Sequence, residues 1–130
     1  MSSHGLGRPV VMGRNAAVSS GHSLASLAGI EMLRAGGNAI DAAVATLAAL
    51  SVLKPEACGL GSDAFMQVYD AKTGRVHALN ASGAAPALAT IEAYGADIPK
   101  HGPRASAVPG AVGGWEAALR RFGTFTLARV

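Results

Sequence analysis

From Ala42 to Leu53 the chain carries no charged residue, between Asp41 on one side and Lys54-Pro55 on the other. Asn38 can cap a helix here, with Asp41 three residues later as a shortened capping box, and Pro55 stops it. The predicted helix, Ala39 to Leu53, has no polar face. A helix that is apolar all round is buried on all sides, so layers must cover both of its faces. A chain of 130 residues has little material for that. At about 12 residues the uncharged run is too short to span a bilayer, which takes about 20, so no membrane segment is expected.

The rest of the composition agrees with an interior-rich piece of protein. The chain is 50% hydrophobic, 15% charged and 5% aromatic, with 17 Gly and 28 Ala. Disordered chains are poor in apolar residues and rich in charge, so disorder is excluded for most of the length. The Ala and Gly excess points to close backbone packing rather than to an aromatic core. Eleven Lys and Arg against eight Asp and Glu leave a net charge of +3. The basic residues are scattered from Arg8 to Arg129 and do not interleave with aromatics, so the footprint of a nucleic-acid binder is missing. Cys58 is the single cysteine, which excludes an internal disulfide and a cysteine-based zinc site. Met1 to Gly7 lacks a charged region followed by an apolar run, and the expected location is the cytoplasm.

Along the chain, Pro9 to Met12 and Ala16 to Val18 suggest one or two short strands. Ser23 is a good N-cap for a helix carrying Leu24, Leu27, Ala28, Ile30 and Leu33, which Gly36-Gly37 ends. After the long apolar helix comes a Gly-rich turn, Cys58 to Asp63. Ala64–Asp70 and Arg75–Asn80 flank Ala71-Lys72-Thr73-Gly74 as a β-hairpin. Ala81 to Pro86 is a loop of small residues. Thr90 caps a short helix over Ile91 to Tyr94, Gly95 to Arg104 is a surface loop, and Val108-Pro109-Gly110 is a turn. Ala111 to Phe122 is a helix with Trp115, Leu119 and Phe122 on one stripe, ended by Gly123. Thr126 has the character of a further N-cap.

Most residues of chemical interest have plain structural explanations. Gly59-x-Gly61 follows a helix and precedes a strand, the reverse of a dinucleotide-binding turn, and is better explained as close packing. Cys58 beside an apolar helix end is expected to be a small buried hydrophobe. His4, His22, His77 and His101 have no ligand spacing, so neither metal nor cofactor is expected. Asp63, after a glycine turn, is expected to bond local backbone N–H groups. The candidate substrate-binding residues are Asn80, Ser82 and Gly83, at a strand end on a loop small enough to let a ligand reach the backbone. The alternative is a turn in which Asn80 and Ser82 bond their own backbone.

Seven blocks in order resemble the start of the large subunit of the gamma-glutamyltranspeptidase family. They are His22-Ser23-Leu24-Ala25-Ser26, Leu33 with Gly36 through Ala45, Gly59 through Met66, Tyr69 through Gly74, Ala85-Pro86-Ala87, Ala107 through Gly110 and Arg121-Phe122-Gly123-Thr124. The resemblance implies an α/β (α+β) chain forming part of an αββα sandwich of the N-terminal nucleophile hydrolase type, with residues 1–130 an incomplete domain. It also implies a precursor that cleaves itself into two subunits. A Thr freed at the start of the small subunit then attacks a γ-glutamyl or related amide and forms a covalent acyl-enzyme. That Thr lies downstream in the family, so no catalytic residue is expected in this chain. The implied partners are a small-molecule amide substrate and the small subunit from the same precursor.

One departure bears on the substrate. Family transpeptidases place an Arg in the loop before Ala-Pro, paired with the α-carboxylate of the γ-glutamyl group. That position falls on Ser82, or on Ala84 in the register of a related branch, and neither is Arg. Losing a charge-assisted pair weakens binding about tenfold to a hundredfold unless Arg75 or Arg104 takes its place. Gly61-Ser62-Asp63 also stands where transpeptidases have a longer glycine run and resembles the branch of oxamate amidohydrolases and other acylases. Three functions therefore stand open: a glutathione hydrolase-like enzyme, an oxamate amidohydrolase-like or other acylase, and an inactive paralogue with a structural role.

Overall fold

The structure, a computed structural model, describes residues 10–130. In chain order its elements are α1 (Ser23–Arg34), α2 (Ala39–Leu53), β1 (Ala64–Asp70), β2 (Arg75–Ala81), α3 (Ile91–Tyr94), a 3-10 turn over Pro103–Ala105, and α4 (Ala111–Phe122). β1 and β2 pair antiparallel, with Ala64 opposite Ala81 and Asp70 opposite Arg75. Asp70 organises the connecting turn. Its carboxylate accepts the Thr73 hydroxyl at 2.8 Å and the Lys72 N–H at 3.0 Å, and these bonds, the Thr73 one foremost, hold its pKa below the ordinary aspartate value.

The strands expected near the start do not form. Val10–Met12 and Ala16–Val18 are irregular, and Pro9 lies outside the described residues. An extended segment becomes a strand only by pairing, and among the described residues β1 and β2 pair only with each other.

α1 is capped by His22 rather than by Ser23. The His22 Nδ1 accepts the Leu24 N–H at 3.2 Å, while Ser23 is the first helical residue. The helix ends as the two glycines predict. Gly36 has φ +90, the Gly36 N–H reaches Leu33 O and the Gly37 N–H reaches Met32 O, the paired bonds of a Schellman ending. The buried face of α1 differs from the expected leucine stripe. Ala25 and Gly29 are buried, whereas Leu24 and Leu27 are about half exposed. Two small residues four apart let α1 lie close against α2. A methyl group at Gly29 would fall on Thr46 Oγ1 and 2.9 Å from Ala42 O.

α2 carries the predicted capping box: Asn38 Oδ1 accepts from Ile40 and Asp41, and Asp41 Oδ2 accepts the Asn38 N–H at 2.7 Å. The Asp41 carboxylate does more. Fully buried, it also accepts the N–H groups of Thr124 at 3.1 Å and Phe125 at 2.9 Å, and the Asn38 amide donates to Phe122 O at 2.6 Å. The start of α2 is thus tied to the end of α4. The core lies where α2, the hairpin and α4 meet, with Val44, Ala64, Ala111, Trp115 and Leu119 buried together.

Within this chain α1 covers one face of α2 and the hairpin with α4 another, so the expectation that α2 is covered on all sides is met only in part. Ala43 is exposed and Val52 is 80% exposed. A groove of about 710 Å³ runs between α2, the inner end of β1 and the Asn15–Ser20 segment.

Candidate functional site

Three turns converge where the hairpin ends. The Ser62 carbonyl accepts the N–H groups of Gly110 at 3.2 Å and Ala111 at 2.8 Å, so it satisfies donors at the start of α4. Asp63 Oδ1 accepts the Gly83 N–H at 3.2 Å. Asp63 therefore bonds a backbone N–H as expected, but one twenty residues away rather than a local one. Gly83 rests directly on the Val108 backbone, and Gly110 on the Ala81 carbonyl. A side chain at either position would drive the two loops apart, so glycine is required at both by close backbone approach.

The three candidate substrate-binding residues lie together on this loop. Asn80 Oδ1 accepts the Ser82 N–H at 2.9 Å, an Asx-type turn. Gly83 is held by Asp63 and packed on Val108. Ser82 is exposed, and its hydroxyl has no protein partner among the described residues. The loop is thus fixed from both ends and presents one free hydroxyl group at its crest.

Next to it lies a cavity of about 350 Å³. Gly83, Ala85 and Pro86 form one wall, and α3 with the following loop supplies Ile91, Tyr94, Ile98 and Arg104. The Arg104 guanidinium stacks on the Tyr94 ring, 4.5 Å from its centroid, and donates to Ala93 O. The Tyr94 hydroxyl returns a bond to Arg104 O at 2.9 Å. The isolated motifs of the sequence do not point to this cavity. Its signal is the helical spacing of Ile91, Tyr94 and Ile98, which runs from the predicted short helix into the segment read as surface loop.

Other residues singled out in the sequence lie apart from this site. His22 caps α1. His77 packs on Phe122 with ring centroids 5.0 Å apart. Cys58 is half-buried rather than fully buried, because it sits in the turn after α2 and not under it. Among the described residues no three His, Cys, Asp or Glu side chains come together as metal ligands, and no helix is long and apolar enough to cross a membrane.

The fold is that of the N-terminal nucleophile hydrolases of the gamma-glutamyltranspeptidase type, to which this chain contributes one hairpin and the helices around it. It superposes on the gamma-glutamyltranspeptidase of Helicobacter pylori with a TM-score of 0.84 at 38% identity, covering 93% of this chain and 36% of that one. On a cephalosporin acylase from Bacillus halodurans the TM-score is 0.72 at 46% identity, covering 78% and 20%. In sequence it is 47% identical over 102 residues to the oxamate amidohydrolase proenzyme of Klebsiella pneumoniae, covering 76% of this chain and 19% of the relative. The gamma-glutamyltranspeptidase family profile matches residues 25–130, and the chain belongs to that family. It spans about a fifth of the length of the curated relatives it matches.

Proposed function

We propose that the polypeptide to which this chain belongs is an amide hydrolase or acyltransferase that works through a covalent acyl-enzyme, and that it prefers an amide other than glutathione. The reaction takes place on a Thr hydroxyl that these 130 residues do not supply. The hydroxyl adds to the amide carbonyl, the amine leaves with a proton, and water or an acceptor amine releases the acyl group. This chain supplies scaffold and one wall of the substrate site. Its Asn80-Ser82-Gly83 loop approaches the acyl group, with the Ser82 hydroxyl free to bond it. The precursor is cleaved, and the resulting small subunit packs against this region.

The observation that carries the substrate preference is the loop itself. Between Asn80 and Pro86 there is no cation, so a γ-glutamyl α-carboxylate meets no charge there. The 47% identity to an oxamate amidohydrolase and the 46% identity to a cephalosporin acylase support the acylase branch.

The test is to express the complete open reading frame, purify it after processing, and compare kcat/KM for glutathione, oxamate and aliphatic acyl amides. We expect glutathione to be the poorest of the three, and residues 1–130 expressed alone to turn over none. A clear preference for glutathione refutes the substrate assignment. An unprocessed protein that cleaves no amide favours the structural paralogue instead.

A further inference from the structure

Residues 84–109 leave the body of the molecule and return to it without packing into it. None of them is buried, and among the described residues α3 packs against neither the hairpin nor another helix. Every hydrogen bond they make among the described residues stays within the segment, from the Ala89 N–H on Pro86 O to the Ser106 N–H on Pro103 O, and the Tyr94–Arg104 pair closes it on itself. The segment is an arm, and it carries Ile91, Tyr94 and Ile98, one wall of the cavity of about 350 Å³. The geometry points to Asp63 as a positioning residue: by holding Gly83 at the root of the arm, its carboxylate sets how that wall stands over the Asn80-Ser82-Gly83 loop, and so how well the cavity grips an acyl chain. This rests on the amide-hydrolase assignment above.

Among the described residues the arm is oriented at its base, by three attachments, and two come from one turn. The Ser62 carbonyl accepts the N–H groups of Gly110 and Ala111 just past the arm's end, and Asp63 Oδ1 accepts the Gly83 N–H at 3.2 Å just before its start. The third is the contact of Gly83 with the Val108 backbone. That contact sets a separation, whereas a hydrogen bond also sets a direction, because it weakens steeply out of line. The Ser62 bonds are main-chain and do not depend on the residue at that position. Asp63 is thus the one attachment a side chain supplies, and the one a substitution can remove. Its own footing is firm. The Ser62 hydroxyl donates to Gly59 O at 2.5 Å and the Ser62 N–H to the same oxygen at 3.2 Å, while Ala64, the next residue, is buried at the start of β1. A wall held this way is placed before the ligand arrives, which lowers the ordering cost of binding.

The experiment uses the complete processed protein, its Asp63→Ala and Asp63→Asn variants, and two readouts. Asn keeps an oxygen that can accept the Gly83 N–H, and Ala does not. The first readout is kcat/KM for the pentanoyl p-nitroanilide relative to the acetyl one, which differ only in the chain that reaches the arm. We expect Asp63→Ala to lower that ratio about 3- to 10-fold, the worth of one ordinary hydrogen bond, through KM for the pentanoyl substrate with kcat little changed, and Asp63→Asn to restore it. The second is amide hydrogen exchange, which requires no turnover. We expect the Gly83 amide to exchange about 3- to 10-fold faster in Asp63→Ala alone, with the amides of α3, bonded within the arm, unchanged. An unchanged ratio in Asp63→Ala, an equal loss of kcat on both anilides, or an Asn variant as impaired as the Ala one overturns the inference even though amides are cleaved. If no amide is cleaved the hydrolase assignment fails; faster Gly83 exchange in Asp63→Ala alone then still upholds Asp63 as the support of the arm, and unchanged exchange overturns it.

Discussion

Replacing Asp41 by Asn should loosen one joint of the molecule far more than the rest. The two side chains have nearly the same shape, so the change isolates hydrogen bonding and charge. In the native structure the carboxylate accepts three backbone N–H groups, from Asn38, Thr124 and Phe125. An amide offers one oxygen and one NH2, so whichever way it turns, a donor faces a donor. Leaving a buried donor without a partner costs about 1–3 kcal/mol. Two of the three amides retain an oxygen in some rotamer, and Thr124 is exposed enough for water to help. The expected loss is therefore about 2–4 kcal/mol, below the sum of three orphaned donors. At 1.4 kcal/mol per factor of ten, amide exchange by local opening should accelerate about 30- to 700-fold. The measurement is hydrogen–deuterium exchange by mass spectrometry on the complete polypeptide, comparing peptides that contain Asn38 and Thr124–Phe125 with peptides from the β1–β2 hairpin. Acceleration should be confined to the first two. Unchanged exchange there, or equal acceleration in the hairpin, would refute the view that Asp41 locks α2 to the end of α4.

Two further outcomes follow from local geometry. Gly29→Ala should destabilise by about 1–3 kcal/mol, seen as a lower thermal midpoint, because the added methyl meets Thr46 Oγ1 and the Ala42 carbonyl, which is backbone and cannot turn away. In NMR titration Asp70 should titrate below an ordinary aspartate, and Thr73→Val should raise its pKa by removing the largest cause of the shift. Because the folded pKa is the lower one, the turn's contribution is present above the unfolded aspartate pKa and is lost as pH falls through the folded value.

Much of this architecture can be read from residue order because it is local. The capping box at Asn38, the glycine ending of α1, the hairpin around Gly74 and the bounds of α4 each depend on residues within a few positions of one another, and all appear where expected. Apart from the cap of α1, which shifts by one residue to His22, the errors share one cause. Val10–Met12 and Ala16–Val18 have strand-like composition, but a strand depends on a partner that local pattern does not reveal. The buried face of α1 follows Ala25 and Gly29 rather than its leucines, because closeness to α2 outweighs side-chain size. Asp63 reaches Gly83 rather than its neighbours. At the site, the Asn80-Ser82-Gly83 loop stands out in sequence through its small residues. The Tyr94–Arg104 pair does not, since nine residues, most of them irregular chain, separate the ring from the cation that stacks on it.

The Asp41 clasp also sets an order of events during synthesis. Its last partner, Phe125, follows it by 84 residues. At roughly 5–20 residues per second, about 4–17 s pass between translation of the carboxylate and translation of the amide that completes its shell. Throughout that interval α1 and α2 can pair, yet a side chain destined for full burial still needs water. The helical hairpin at the start of the chain is therefore a provisional structure on the ribosome, and it becomes permanent only when the Phe122-Gly123-Thr124-Phe125 segment arrives to close it.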